Sequence, residues 1–205
     1  MDQVKKIKII KIEDFKLGFN RLKDAKLELA GDLEKYEYRK AEFKVENLKY
    51  FQINPSAYYA LKSKLEFQRE FYRVLTIDCK INLFELPGIV YFEFDNKMFG
   101  LVPPIIEIYE ETDGHDSYAL QDGIHRILLG KELDLPQECI VIQNKAANRD
   151  YLPYSYTNSW DEVKIYDKVP TIKKQFRRTP PYSFMRPLKS IFDANLVSDW
   201  AEYGR

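Results

Sequence analysis

The run Asp122-Gly123-Ile124-His125-Arg126 gathers residue types that handle phosphate. A glycine lets the backbone turn tightly and come close to a ligand. If a helix opens directly after it, the first turn offers N–H groups without intrahelical partners and the positive end of the dipole, and both attract anions. His125 and Arg126 would add side-chain donors at the same place, and a guanidinium suits a bidentate grip on phosphate oxygens. Asp122 has four open roles there: capping the helix, orienting His125, holding a metal ion that bridges phosphates, or acting as a base. Asp-Gly before a helix and His-Arg in a first turn are also ordinary surface features, and spacing alone leaves that reading open.

Such a cluster needs a strand to deliver it and a helix to carry it. The pattern predicts a strand over 105–109, a turn at Thr112-Asp113-Gly114-His115-Asp116 and a second strand over 118–120. A short helix over 124–132 and a strand over 139–143 follow. Pro103 and Pro104 cannot donate ladder hydrogen bonds, so the strand begins after them or at an edge. His115 reads as a solvated loop histidine, and Cys139, inside an apolar run, as a buried small hydrophobe.

Upstream, 6–12 alternates as a first strand. Asp14 can cap a helix whose apolar positions are Phe15, Phe19 and Leu22. Residues 25–50 favour a hairpin about Gly31-Asp32. Asn54-Pro55-Ser56 has the form of a helix start, with Tyr58, Leu61, Leu65, Tyr72 and Leu75 as the apolar stripe. Short strands are expected over 81–84 and 89–94, joined around Pro87-Gly88, with a turn at 95–97.

The chain of 205 residues, 45% hydrophobic and 15% aromatic, suffices for one large domain with a core of its own. Lys plus Arg equals Asp plus Glu at 32 each, which argues against a strongly basic duplex-binding domain but leaves room for a local patch. Two cysteines make no disulfide framework and fit a reducing compartment. No signal peptide and no apolar run of membrane-spanning length is evident, so the expected location is cytoplasmic.

Phe99 to Ile108, a short hairpin, and then Tyr118-Ala119-Leu120-Gln121-Asp122-Gly123-Ile124-His125-Arg126 together resemble the core signature of the ParB/sulfiredoxin-like superfamily. That signature orders proline, strand, hairpin, strand, an Asp-Gly-x-His-Arg turn and a helix. The resemblance implies an α+β fold with a mixed sheet and flanking helices. It would comprise an N-terminal α+β part over 1–98, the core motif over 99–151 and a Tyr/Pro-rich C-terminal extension over 152–205. It also implies nucleotide phosphate binding at Gly123, Ile124, His125 and Arg126, with ATP or ADP, or CTP, and Mg²⁺ as the cofactors.

The departures from the pattern narrow the choice. Ile124 stands where sulfiredoxins carry their catalytic cysteine, so sulfinic acid reduction is not expected. ParB partition proteins carry a Gly-Glu-Arg-Arg type run and a following helical DNA-binding domain, and neither is evident here. One branch of the superfamily transfers a nucleotide phosphoryl group to an amino acid with an acidic residue as base. Asp122 and Glu107 are the candidates, with Glu110 and Glu111 as positional alternatives to Glu107.

Downstream, Lys173-Lys174-Gln175-Phe176-Arg177-Arg178 is a basic run around an aromatic. Lys173, Lys174 and Arg177 would close over a phosphate chain, contact a nucleic-acid backbone, or form a solvated helix end. Trp160 and Tyr156 would stack a base or simply pack. Two function classes follow: a phosphoryl transferase acting on a small-molecule acceptor, and a nucleic-acid-associated module of nuclease-like or nucleotide-gated type. A domain that senses nucleotide without chemistry is a third.

Overall fold

Alternating β-branched and aromatic residues, interrupted by helices with one apolar stripe, set the element order of the chain. The computed structural model describes residues 7–24, 27–29, 33–35, 38–55, 57–94, 97–110, 114–143 and 159–171. In order these form β1 (Lys8–Glu13), α1 (Phe15–Asp24), β2 (Leu27–Leu29), β3 (Leu33–Lys35), β4 (Glu42–Leu48) and β5 (Tyr59–Leu61). They continue as α2 (Lys62–Ile77), β6 (Ile89–Phe94), β7 (Lys97–Leu101), β8 (Ile105–Glu110), β9 (Asp116–Asp122), α3 (Ile124–Leu133), β10 (Gln137–Gln143) and β11 (Lys164–Tyr166). Single 3-10 turns lie at Tyr50–Gln52 and Trp160–Glu162.

The central sheet has the order β4-β10-β8-β9. β8 and β9 are an antiparallel hairpin, β4 is antiparallel to β10, and β8 runs parallel to β10. A parallel neighbour cannot be reached by a tight turn, so the chain crosses over through β9 and α3. That crossover brings the Asp122–Arg126 turn to one end of the sheet.

Strand alternation divides the sheet into two apolar faces. Ile105, Ile140 and Ile142 pack with Leu22, Phe15 and Phe19 of α1 and with Tyr38 and Val102. Ile106, Ile108, Leu120, Cys139 and Val141 pack on the other face with Ile127 of α3, Ile53 and Trp160. A separate antiparallel sheet, β1-β6-β7, packs its Val90, Phe92, Phe99 and Leu101 against Phe71 and Leu75 of α2 and Leu129 of α3. Helix α1 is tied to the β1-β6-β7 sheet by Arg21, which pairs with Glu13 and donates to the Tyr91 hydroxyl at 2.8 Å.

The first helix, the Ile89–Phe94 strand, the β8–β9 hairpin, α3 and β10 all form where the pattern predicts them. Asp14 caps α1 through the Lys16 N–H, which donates to Oδ1 at 2.7 Å. Cys139 is fully buried, and His115 is exposed.

Two expectations are corrected. The helix does not open at Asn54-Pro55; α2 begins at Lys62. The Asn54 backbone is used instead by the sheet: its N–H donates to Tyr118 O at 2.7 Å and its carbonyl accepts from Leu120 N–H at 2.9 Å. Tyr59–Leu61 then pairs in parallel with β11. Residues 81–84 form a turn rather than a strand, because Asn82 Oδ1 accepts the Phe84 N–H at 3.0 Å and Ile81 N–H returns to Leu75 O at 2.9 Å.

Gly31-Asp32, Asp95-Asn96 and Thr112-Asp113 lie outside the described residues, as does most of the Tyr/Pro-rich C-terminal part. Among the described residues the fold is mixed α/β with three α-helices, and no helix is long and apolar enough to cross a membrane.

Ile106 is the second residue of β8 and has no exposed surface. Ile106→Ala is expected to cost about 2–5 kcal/mol of stability, read from urea denaturation with an unchanged slope.

Candidate functional site

Strand β9 must end and α3 must begin within two residues, and Gly123 makes that possible. It has φ +101 and ψ 19, a conformation L side chains rarely adopt. A Cβ there would lie 2.8 Å from Pro104 Cβ, so the turn also passes too close to the proline for any side chain. The Gly123 carbonyl accepts the Arg126 N–H at 2.9 Å and the Ile127 N–H at 3.0 Å. The N–H groups of Ile124 and His125 are then the first-turn donors left for a ligand.

Arg126 points inward. Only 6% of it is exposed, and Nη1 donates to the Val102 carbonyl. Burial pulls its pKa down, while Asp122 and Cys139 nearby favour the charged form. Among the described residues no carboxylate lies within ion-pair distance of this guanidinium.

His125 is mostly buried, and its Nε2 accepts the Leu61 N–H at 3.1 Å. Leu61 is the residue from which α2 starts, so the imidazole caps a neighbouring helix. The ring donor left over is Nδ1–H. Burial, assisted by the charge on Lys64, pushes the His125 pKa down to about 4. The histidine is therefore neutral near pH 7.

Of the two candidate carboxylates, Asp122 is half-buried at the end of β9, and Glu107 is buried on β8, where it accepts a hydrogen bond from the Tyr38 hydroxyl. The register sets Asp122 opposite Ile105 and Ala119 opposite Glu107. The two acids thus start two rows apart on one ladder, with the Ile106–Leu120 row between them. Lys173, Lys174, Arg177 and Tyr156 lie outside the described residues. Trp160 packs in the core: it is 6% exposed, and Nε1 donates to Tyr50 O at 2.7 Å and Ile53 O at 2.8 Å.

Sequence reasoning missed Lys64. It lies in the first turn of α2, half-buried, close enough to depress the His125 pKa and without an ion-pair partner among the described residues. Neither α2 nor α3 has an acidic residue in its first turn. Lysines at the positive end of a helix dipole are unfavourable on their own account. That misfit was the available signal, but it depended on knowing that the helix starts at Lys62.

The family profile described as "ParB CE domain" matches residues 19–164, more than two thirds of the 205-residue chain. The chain belongs to the ParB CE domain family, and the match takes in the whole central sheet, β6 and β7 of the second sheet, all of α2 and α3 and the Asp122–Arg126 turn. No curated protein and no solved structure matches the chain significantly.

The His125 burial gives a signed pH dependence. Its folded pKa of about 4 lies below the unfolded value of 6.5. The stabilising contribution is therefore complete above pH 6.5 and is lost as pH falls toward 4, because only the unfolded chain takes up the proton in that window. The expected loss is on the order of 3 kcal/mol, and His125→Gln should flatten that part of the urea-denaturation profile. Arg126→Ala should cost about 2–4 kcal/mol by stranding the Val102 carbonyl and leaving a cavity. A melting temperature unchanged by Arg126→Ala would contradict the strut role.

Proposed function

We propose that this ParB-family module binds the phosphate chain of a nucleotide at the Gly123–Arg126 turn. The observation that carries the reading is the buried Arg126 guanidinium, which has no carboxylate within ion-pair distance among the described residues, only the charge of Asp122 nearby. A buried charge that is only partly compensated is costly, and an anion resting on the first turn of α3 would offset that cost. The Ile124 and His125 N–H groups supply the direct donors, with Lys64 as a flexible point charge from α2.

ATP or ADP, or CTP, with Mg²⁺ fits this arrangement. Among the described residues no group of three or more His, Cys, Asp or Glu forms a metal site by itself. A magnesium ion would therefore be shared between phosphate oxygens and a single carboxylate, as this ion commonly is. Asp122 is the carboxylate at hand.

If the module also transfers a phosphoryl group to a small-molecule acceptor, catalysis would consist mainly of positioning and charge neutralisation. Asp122 is the more accessible base. Glu107 would serve only where the bound acceptor takes the place of the Tyr38 hydroxyl. The second reading, a nucleic-acid-associated module, is favoured by the basic run that includes Lys173, Lys174 and Arg177 and disfavoured by the zero net charge.

The test is calorimetric titration with ATP, ADP, CTP and GTP, with and without Mg²⁺. Wild type should bind one of them, Lys64→Gln should weaken binding about tenfold, and Asp122→Asn should remove the Mg²⁺ dependence. Preference for adenine favours the phosphoryl-transfer form, and preference for cytosine favours the nucleotide-gated form. Absence of binding by all four would sink the proposal and send the search to nucleic acids.

A further inference from the structure

Beside the α3 N-terminus lie residues 50–55, which Asn54 ties to β9 through two backbone hydrogen bonds, and then the short strand β5. What lies over it is the segment 159–166. Trp160 inserts its indole into the core beside Ile53, and Nε1 ties together the Tyr50 and Ile53 carbonyls, at 2.7 and 2.8 Å. The Lys164 N–H donates to Tyr58 O at 2.9 Å, and β11 then pairs with β5 in the parallel register Lys164↔Tyr59, Ile165↔Ala60, Tyr166↔Leu61. The last residue of β5, Leu61, donates its N–H to His125 Nε2.

These contacts form one continuous chain from Trp160 to the turn that presents the phosphate donors. We infer that segment 159–166 is a strap that positions the site, with Trp160 as a positioning residue that acts through β5 and Leu61 on His125. The functional consequence rests on the nucleotide-binding reading above; the mechanical coupling does not. A strand of three residues with one parallel neighbour is weakly held by itself. The indole supplies the buried anchor that makes the pairing persist: Trp160 and Val163 are 6% and 8% exposed. With the strap in place, Leu61 N–H faces the imidazole, Lys64 stands at the same helix start, and the first turns of α2 and α3 share one edge. With the strap released, β5 loses its only strand neighbour among the described residues, and Leu61 no longer fixes the ring.

A strap of this kind gives the protein a way to set affinity from outside the site. Any partner or modification that lifts 159–166 would loosen the α2 start and the His125 ring together, without touching a phosphate-contacting group.

The experiment uses the full chain and two independent variants. Trp160→Phe keeps an aromatic ring in the core and removes the N–H that bridges the two carbonyls. Lys164→Pro removes the N–H that donates to Tyr58 and leaves the core untouched. The direct readout is the titration of His125 by NMR, resolved from the other histidine, His115. In wild type, His125 should stay neutral down to about pH 4. In either folded variant it should titrate more than one pH unit higher, and ADP or CTP affinity should fall five- to tenfold.

Should Trp160→Phe fail to fold, Lys164→Pro gives the answer alone. His125 titrating as in wild type in a folded Lys164→Pro protein would overturn the strap. If wild type binds no nucleotide while His125 still shifts in the variants, the coupling stands and the nucleotide reading falls. If nucleotide binds equally well to all three proteins, the strap has no role in the site.

Discussion

The backbone at Gly123 passes so close to Pro104 that a side chain at 123 would have its Cβ 2.8 Å from the proline Cβ. Much of the architecture meets at that contact. Pro104 precedes β8, and its carbonyl accepts the Ile140 N–H at 2.8 Å, which begins the parallel pairing of β8 with β10. Gly123 ends β9 and starts α3. One close approach therefore sets the edge of the parallel ladder, the end of the hairpin and the direction in which α3 leaves the sheet. The Val102 carbonyl, two residues before Pro104, is held by Arg126, so the same loop is gripped from the first turn of the helix as well.

Charge is distributed around that contact in a way that folding alone does not favour. Arg126 is buried without a carboxylate at ion-pair distance among the described residues, Lys62 and Lys64 occupy the first turn of α2, and the first turns of α2 and α3 contain no acid. Among the described residues Lys62 reaches only the exposed Asp167, at 3.8 Å, a distance and exposure at which an ion pair contributes little. The neutrality of His125 follows from the same surroundings: burial first, then the neighbouring lysine, disfavours a further positive charge. Local violations of this kind are expected at functional or strained sites. Elsewhere the ionic pattern is ordinary. Arg69 on α2 grips Glu132 on α3 through Nη2 at 2.7 Å and Nε at 3.1 Å, and Arg73 pairs with Glu70 within α2.

The legibility of the sequence followed the range of the interactions involved. Asp14 capping α1, the Phe15/Phe19/Leu22 stripe, the β8–β9 hairpin and the Asp-Gly turn into α3 are local, and each was readable from neighbouring residues. The Asn54-Pro55-Ser56 helix start was misread because a cap motif competes with any long-range partner for the same backbone groups. Here Tyr118 and Leu120, more than sixty positions away, claim both backbone groups of Asn54. Residues 81–84 carry strand-prone side chains, yet Asn82 turns the chain by accepting the Phe84 N–H. The aromatic Trp160 was legible as important but not as an anchor, since its two acceptors come from 50–53.

The sequence alone therefore determined the strand–turn–helix that carries Asp122 to Arg126, the need for glycine at 123 and the membership of the site in a ParB-like pattern, because those rest on backbone conformation and adjacent residue types. Tertiary structure alone decided what the side chains of that turn do. Arg126 became an internal strut, His125 a cap on another helix, Glu107 a buried acceptor for Tyr38, and Lys64 a charged neighbour of His125. Burial, pKa and hydrogen-bond partner depend on which distant segments pack against a residue, and no spacing within a single segment encodes them.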